Sequence, residues 1–126
     1  MSTQANSTAT HSVLIVDDDR NLTRFLTTAL SLDGHEVVTA SDGESALDLL
    51  KGRQFDVIVL DLRMPRMDGR AFFRAIRAEG NQTPVLIASA YGALEAQREL
   101  GAEAAIEKPF TPDTLARAIG QIVAAD

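Results

Sequence analysis

The 126-residue chain has no cysteine. That excludes a disulfide framework and any zinc or iron–sulfur site built on thiolates. Its two histidines, His11 and His35, lie far apart in the chain and form no metal-binding spacing. Basic residues are the minority, 12 Lys and Arg against 18 Asp and Glu, and the net charge is −6. With no Lys/Arg-rich run there is no basic face for a phosphate backbone, so direct nucleic-acid binding is not expected. No stretch approaches the ~20 consecutive apolar residues that a membrane helix needs. The opening residues, MSTQANSTATHS, have neither a basic nor an apolar segment and are not a secretory signal. Residues 1–11 read as a disordered tail and residues 12–126 as one domain, with the cytoplasm as the expected location. There is no internal repeat and no linker to a second domain. The remaining composition, 45% hydrophobic and 24% charged, suffices for one globular core.

Five strand-like runs stand out: Val13–Val16, Glu36–Ala40, Asp56–Leu60, Pro84–Ser89 and Ala104–Glu107. A helical pattern follows each. In the first helix, Leu22, Phe25, Leu26, Ala29 and Leu30 fall on one apolar stripe. In the last, Leu115, Ile119, Ile122 and Val123 repeat that spacing. Gly34, Gly52, Gly80 and Gly101 sit where helices should stop. Asp68 and Thr111 read as N-caps, the latter with Pro112 in the first turn. Strict β-α alternation implies a doubly wound α/β fold, a five-stranded parallel sheet with helices on both faces. The first, third and fourth strands are apolar throughout and suit the centre. The second and fifth are polar or short and suit the edges. The expected order is 2-1-3-4-5, the flavodoxin-like arrangement, whose ligand crevice lies at the carboxyl ends of the strands.

The residues at those ends carry chemistry. The first strand ends in Asp17, Asp18 and Asp19, the third in Asp61, the fourth in Ser89 and the fifth in Lys108. A lone aspartate at a strand end is commonly a turn or cap residue, and Asp19 is best read as the N-cap of the first helix. Carboxylates gathered in one crevice repel each other, and a hard divalent cation such as Mg²⁺ relieves this. A carboxylate beside a metal, an ammonium and a hydroxyl is poised as a nucleophile toward a phosphoryl group.

Four segments, LIVDDD at 14–19, DVIVLDLRMPRMDG at 56–69, PVLIASA at 84–90 and GAEAAIEKPF at 101–110, make the chain resemble the receiver domain of bacterial two-component response regulators. The likeness runs from about Ser12 to Ala125, and in fold it extends to the single-domain chemotaxis-type regulator. It implies roles by position. Asp61 matches the phosphoacceptor. Asp17 and Asp18 match the acidic pair that holds Mg²⁺ with Asp61 and the backbone carbonyl of Arg63. Ser89 matches the hydroxyl switch and Lys108 the phosphate-contacting lysine, with a cis Lys108–Pro109 bond. Implied partners are a sensor histidine kinase or a histidine phosphotransfer protein as donor and an unknown output partner. A homodimer through the helix 4–strand 5–helix 5 face is a further expectation. Such a domain catalyses only its own phosphorylation and dephosphorylation.

Two departures matter. Receivers usually carry Tyr or Phe where this chain has Ala105, so the usual aromatic rotamer switch cannot operate there. Arg63 and Tyr91 occupy positions that tune phosphoryl lifetime in the family, and they are expected to shelter the acyl phosphate through a cation–π contact; otherwise both point to solvent. An aspartyl phosphatase would need an acid/base aspartate where Arg63 stands. A nucleotide-binding module would need a glycine-rich turn where the chain reads DDDRN. The remaining alternative is a non-phosphorylated pseudo-receiver that acts only as an interaction module. Ending just after the fifth helix, the chain reads either as a stand-alone receiver or as a domain of a longer regulator.

Overall fold

A computed structural model describes residues 10–124. Five strands alternate with five helices: β1 (Ser12–Val16), α1 (Arg20–Leu32), β2 (Glu36–Ala40), α2 (Gly43–Gly52), β3 (Val57–Leu60), α3 (Gly69–Ala78), β4 (Val85–Ser89), α4 (Ala93–Leu100), β5 (Ala104–Glu107) and α5 (Pro112–Ala124). The strands form one parallel sheet in the order β2-β1-β3-β4-β5, as the apolar patterning requires. All the residues of β3 and β4 are buried, whereas β2 and β5 are half-exposed edges. Each large aliphatic side chain moved from water into this sheet contributes roughly 1.5–3 kcal/mol, so the apolar strands take the centre.

Side chains alternate across the sheet and build two cores. Leu14, Ile58, Leu60 and Ile87 point toward α2, α3 and α4, where they meet Phe72 and Ile76. Ile15, Val59 and Leu86 point toward α1 and α5, where they meet Leu26, Leu30, Leu115 and Ile119. Among the described residues no helix is long and apolar enough to cross a membrane.

Several local expectations change. Phe25, placed on the inner stripe of α1, is 57% exposed. Thr23 is buried in its stead, on the line with Leu26 and Leu30. Its hydroxyl donates to the Arg20 carbonyl at 3.2 Å, which removes the cost of burying it. Gly34, Gly80 and Gly101 have positive φ, but Gly52 remains the last residue of α2 and the extended Arg53 ends that helix. Residues 1–9 of the expected tail lie outside the described residues; among the latter, His11 accepts from the Glu36 N–H through its carbonyl at 3.0 Å. Its ring stacks on His35 at 5.6 Å, and its backbone N–H donates to His35 Nδ1 at 3.2 Å. Distant in sequence, the two histidines become neighbours because they lead into the paired strands β1 and β2.

Candidate functional site at the carboxyl end of the sheet

The register of the central strands sets the site. The Asp61 N–H donates to the Val16 carbonyl at 2.9 Å and the Asp17 N–H to the Ala40 carbonyl at 3.0 Å. These bonds carry the ladder one residue beyond β3 and β1. They fix two carboxylates side by side at the mouth of the sheet, 6% and 5% exposed. Asp18, the next residue, is exposed, and one carboxylate oxygen from each of Asp17, Asp18 and Asp61 lies within 4.8 Å of the others. Asp19 turns away: it caps α1 by accepting from the Leu22 N–H at 3.1 Å.

Lys108 enters from the end of β5. Its backbone N–H donates to the Ser89 carbonyl at 3.0 Å, and a cis peptide bond joins it to Pro109. The Nζ donates to Asp17 Oδ2 at 2.7 Å and lies 3.6 Å from Asp61 Oδ1. Ser89, at the end of β4, is 2% exposed. Asp17, Asp18, Asp61, Ser89 and Lys108 are therefore all held at the carboxyl end of the sheet.

The electrostatics are unbalanced, with three carboxylates facing one ammonium. Burial, then the neighbouring Asp17 charge, pushes the Asp61 carboxyl above the usual carboxylate range, against the pull of Lys108. Burial works to lower the Lys108 pKa, but the hydrogen bond from its ammonium to Asp17 and the charges of Asp17 and Asp61 hold it above its ordinary value. Oxygen-only, anionic donors at this separation fit a hard cation such as Mg²⁺, and added positive charge is what Asp61 lacks.

An open cleft of about 820 Å³ adjoins the cluster, lined by Asp18, Arg63, Met64, Tyr91 and Glu95 among others. The Arg63 guanidinium carbon lies 5.9 Å from the centre of the Tyr91 ring. Both side chains are exposed, yet they face each other across the cleft rather than diverging into solvent.

Two participants in this region have no counterpart in the motif reading. Asp42, buried at the start of α2, accepts from the Ser45 N–H at 2.8 Å, and its other oxygen lies 3.5 Å from Nη1 of Arg66. The Asp-Gly pair before ESALDLL is a legible cap signal for Asp42. Nothing local announces its pairing with Arg66, 24 residues later.

The sequence profile of the response regulator receiver domain matches residues 13–120. The chain is 43% identical over 107 residues to the probable transcriptional regulator ycf27 of Guillardia theta, covering 82% of this chain and 41% of that protein. It spans less than half the length of the first curated relatives it matches. Among solved structures, the receiver domain of Francisella response regulator 1452 superposes with a TM-score of 0.84 at 31% identity, covering 91% of this chain and 98% of that one. The receiver domain of the Pseudomonas aeruginosa sensor histidine kinase PA1611, with magnesium coordinated in its active-site cleft, gives 0.81 at 27% identity, covering 92% and 99%.

Proposed function

The chain belongs to the response regulator receiver family of two-component signalling, and on that premise we propose that it is a phosphoacceptor switch centred on Asp61. The donor would be a phosphohistidine on a sensor histidine kinase or a histidine phosphotransfer protein. An Asp61 oxygen attacks phosphorus, and the new O–P bond forms as the P–N bond breaks. The electron pair of that bond leaves with the imidazole, which takes up a proton. Hydrolysis returns the carboxylate: water adds to phosphorus and the O–P bond breaks, releasing inorganic phosphate.

The observation that carries this reading is the setting of Asp61, a buried strand-end carboxylate 3.6 Å from the Lys108 ammonium and inside a three-carboxylate cluster. Lys108 would neutralise charge on the phosphoryl oxygens, and its bond to Asp17 keeps it aimed into the site. Mg²⁺, held by Asp17, Asp18, Asp61 and the carbonyl of Arg63, would supply further positive charge toward those oxygens. Ser89, on the adjacent strand, would bond the phosphoryl group and shift the population toward the active conformation. Its activity would be confined to its own phosphorylation and dephosphorylation. Its output passes to a partner surface or to a domain of the kind its longer relatives have room for.

Intact-protein mass after incubation with acetyl phosphate and Mg²⁺ tests this. Gain of one phosphoryl group is expected, and it should vanish in Asp61→Asn and in metal-free buffer. If the folded chain takes no phosphoryl group from acetyl phosphate or from a phosphohistidine donor, it is instead a pseudo-receiver acting by contact alone. The Arg63–Tyr91 pair would shield the acyl phosphate from water. Arg63→Ala and Tyr91→Ala should each shorten its lifetime roughly two- to fivefold, in line with a weak exposed cation–π contact. Equal hydrolysis rates in the variants and the parent would remove this role.

A further inference from the structure

The loop between β3 and α3 carries Arg63 and one wall of the cleft, and close packing holds it at two points. At its far end Gly69 lies against the start of the loop, just past β3. A Cβ there would collide with the Asp61 carbonyl oxygen and sit 2.8 Å from Leu62 Cα. Just before that end, Met67 presses on the first turn of α2: a Cβ on Gly43 would lie 2.9 Å from Met67 Cγ and 3.0 Å from its carbonyl oxygen. Next to Met67 stands Arg66, the one non-glycine residue with positive φ among those described, at 66°. An L-residue in that region is strained by contact of Cβ with its own backbone, and such strain persists only where the surroundings over-determine it.

What Arg66 reaches from that conformation is Asp42. Nη1 lies 3.5 Å from Oδ2 of a carboxylate whose side chain is only 7% exposed. The Asp42 carboxyl is held below the usual range, first by the Ser45 N–H and, against desolvation, also by the Arg66 charge. An exposed ion pair between two flexible side chains would count for little. Here one partner is immobile, because Asp42 is committed to capping α2 through Ser45. The pair therefore ties a strained loop to a fixed helix end.

We propose that Asp42 and Arg66 form a latch that positions the β3–α3 loop, and with it the Arg63 carbonyl, for cation binding beside Asp61. Both are positioning residues, acting through the loop. The inference rests on the phosphoacceptor reading only for the use the loop is put to; the latch itself is a property of the unliganded chain.

Three substitutions separate its parts. Asp42→Asn preserves a good N-cap and removes the charge. Arg66→Gly removes the guanidinium and relieves the positive φ. Arg66→Lys keeps a cation at the same backbone conformation. Two measurements on the full chain apply: amide hydrogen exchange over residues 62–68 without metal, and Mg²⁺ titration followed by emission of Tyr91, the single tyrosine of a chain with no tryptophan. Asp42→Asn and Arg66→Gly should each speed loop exchange and weaken Mg²⁺ binding by about tenfold, the low end for groups that orient metal ligands. The double variant should be no worse than either single one, and Arg66→Lys should recover most of the loss. Loop exchange and Mg²⁺ affinity both within twofold of the parent in the two single variants would overturn the latch. If the parent accepts no phosphoryl group while the latch variants still loosen the loop, the phosphoacceptor reading fails and the latch stands.

Discussion

The two ends of the sheet handle charge in opposite ways. At the amino end, Arg77 donates to the Asn81 and Thr83 carbonyls at 3.0 and 2.9 Å and to Glu103 at 3.1 Å, with its guanidinium 4.5 Å over Phe73. Glu103 in turn accepts from the Val85 N–H at 2.8 Å, and Asp56 accepts from the Ser12 N–H at 2.7 Å. Each charge there closes a turn or the start of a strand. At the carboxyl end, Lys108 serves both Asp17 and Asp61, and Asp18 stands in the same cluster. Yet among the described residues no buried side-chain nitrogen or oxygen lacks a hydrogen-bond partner. Buried polar side chains are thus bonded at both ends, but each carboxylate at the amino end has a bond of its own, whereas three at the carboxyl end share one ammonium. The crowded end is short of positive charge, and the other end holds the strands and turns in place.

If that contrast is right, substitution at the two ends should move stability in opposite directions. The largest effect is expected at Arg77. Arg77→Met keeps much of the stacking on Phe73 but strips two carbonyls and Glu103 of their donor, and should cost about 2–3 kcal/mol in urea unfolding. A loss below roughly 0.5 kcal/mol would mean the amino end is solvated surface rather than a brace.

At the other end, Asp61→Asn should stabilise the metal-free chain. A carboxylate whose folded pKa is raised favours its protonated form in the native state. The penalty is therefore absent well below the unfolded value and fully present at neutral pH. Melting at pH 7 should rise by roughly 3–6 °C, on the order of 1 kcal/mol for a domain of this size, and the gain should shrink in acid. A destabilised Asp61→Asn chain would show that the cluster was not repulsive.

The smallest effect belongs to His35. Its Nδ1 accepts the His11 N–H, so this nitrogen must be unprotonated for the bond to form. Burial, then the neighbouring His11, lowers its pKa, while Asp33 opposes. The bond's contribution is full above about 6.5, the usual histidine value, and is lost as pH falls through the lower folded value. After discounting for solvent, roughly 0.5 kcal/mol should disappear as pH falls through that lowered value, with the change absent in His35→Asn. Identical pH profiles for the two chains would exclude His35 as its source.

Much of the fold was legible because parallel strands announce themselves. Apolar runs at 13–16, 57–60 and 85–88 suit only a sheet covered on both faces, and their ranking by polarity gave the order of central and edge strands. The grouping of Asp17, Asp18, Asp61, Ser89 and Lys108 followed, since the order of parallel strands fixes which ends share a crevice. Legibility failed where a residue's environment depends on a distant segment. Phe25 and Thr23 exchange places because the inner face of α1 is turned toward Thr23 and Thr27 relative to the apolar stripe, and a local hydroxyl bond lets Thr23 take the buried place.

The sequence by itself determined the strand order, the helix caps at Asp19, Asp68 and Thr111, and which side chains gather at the carboxyl end. These depend on period, local hydrogen bonding and the apolar ranking of the strands, all readable along the chain. Only the tertiary structure decided the stacking of His11 on His35, the facing of Arg63 toward Tyr91, and the reach of a strained Arg66 to Asp42. Those contacts join residues 24 to 28 positions apart on different loops. Their geometry is set by how the helices settle on the sheet, a result of packing that no local pattern encodes.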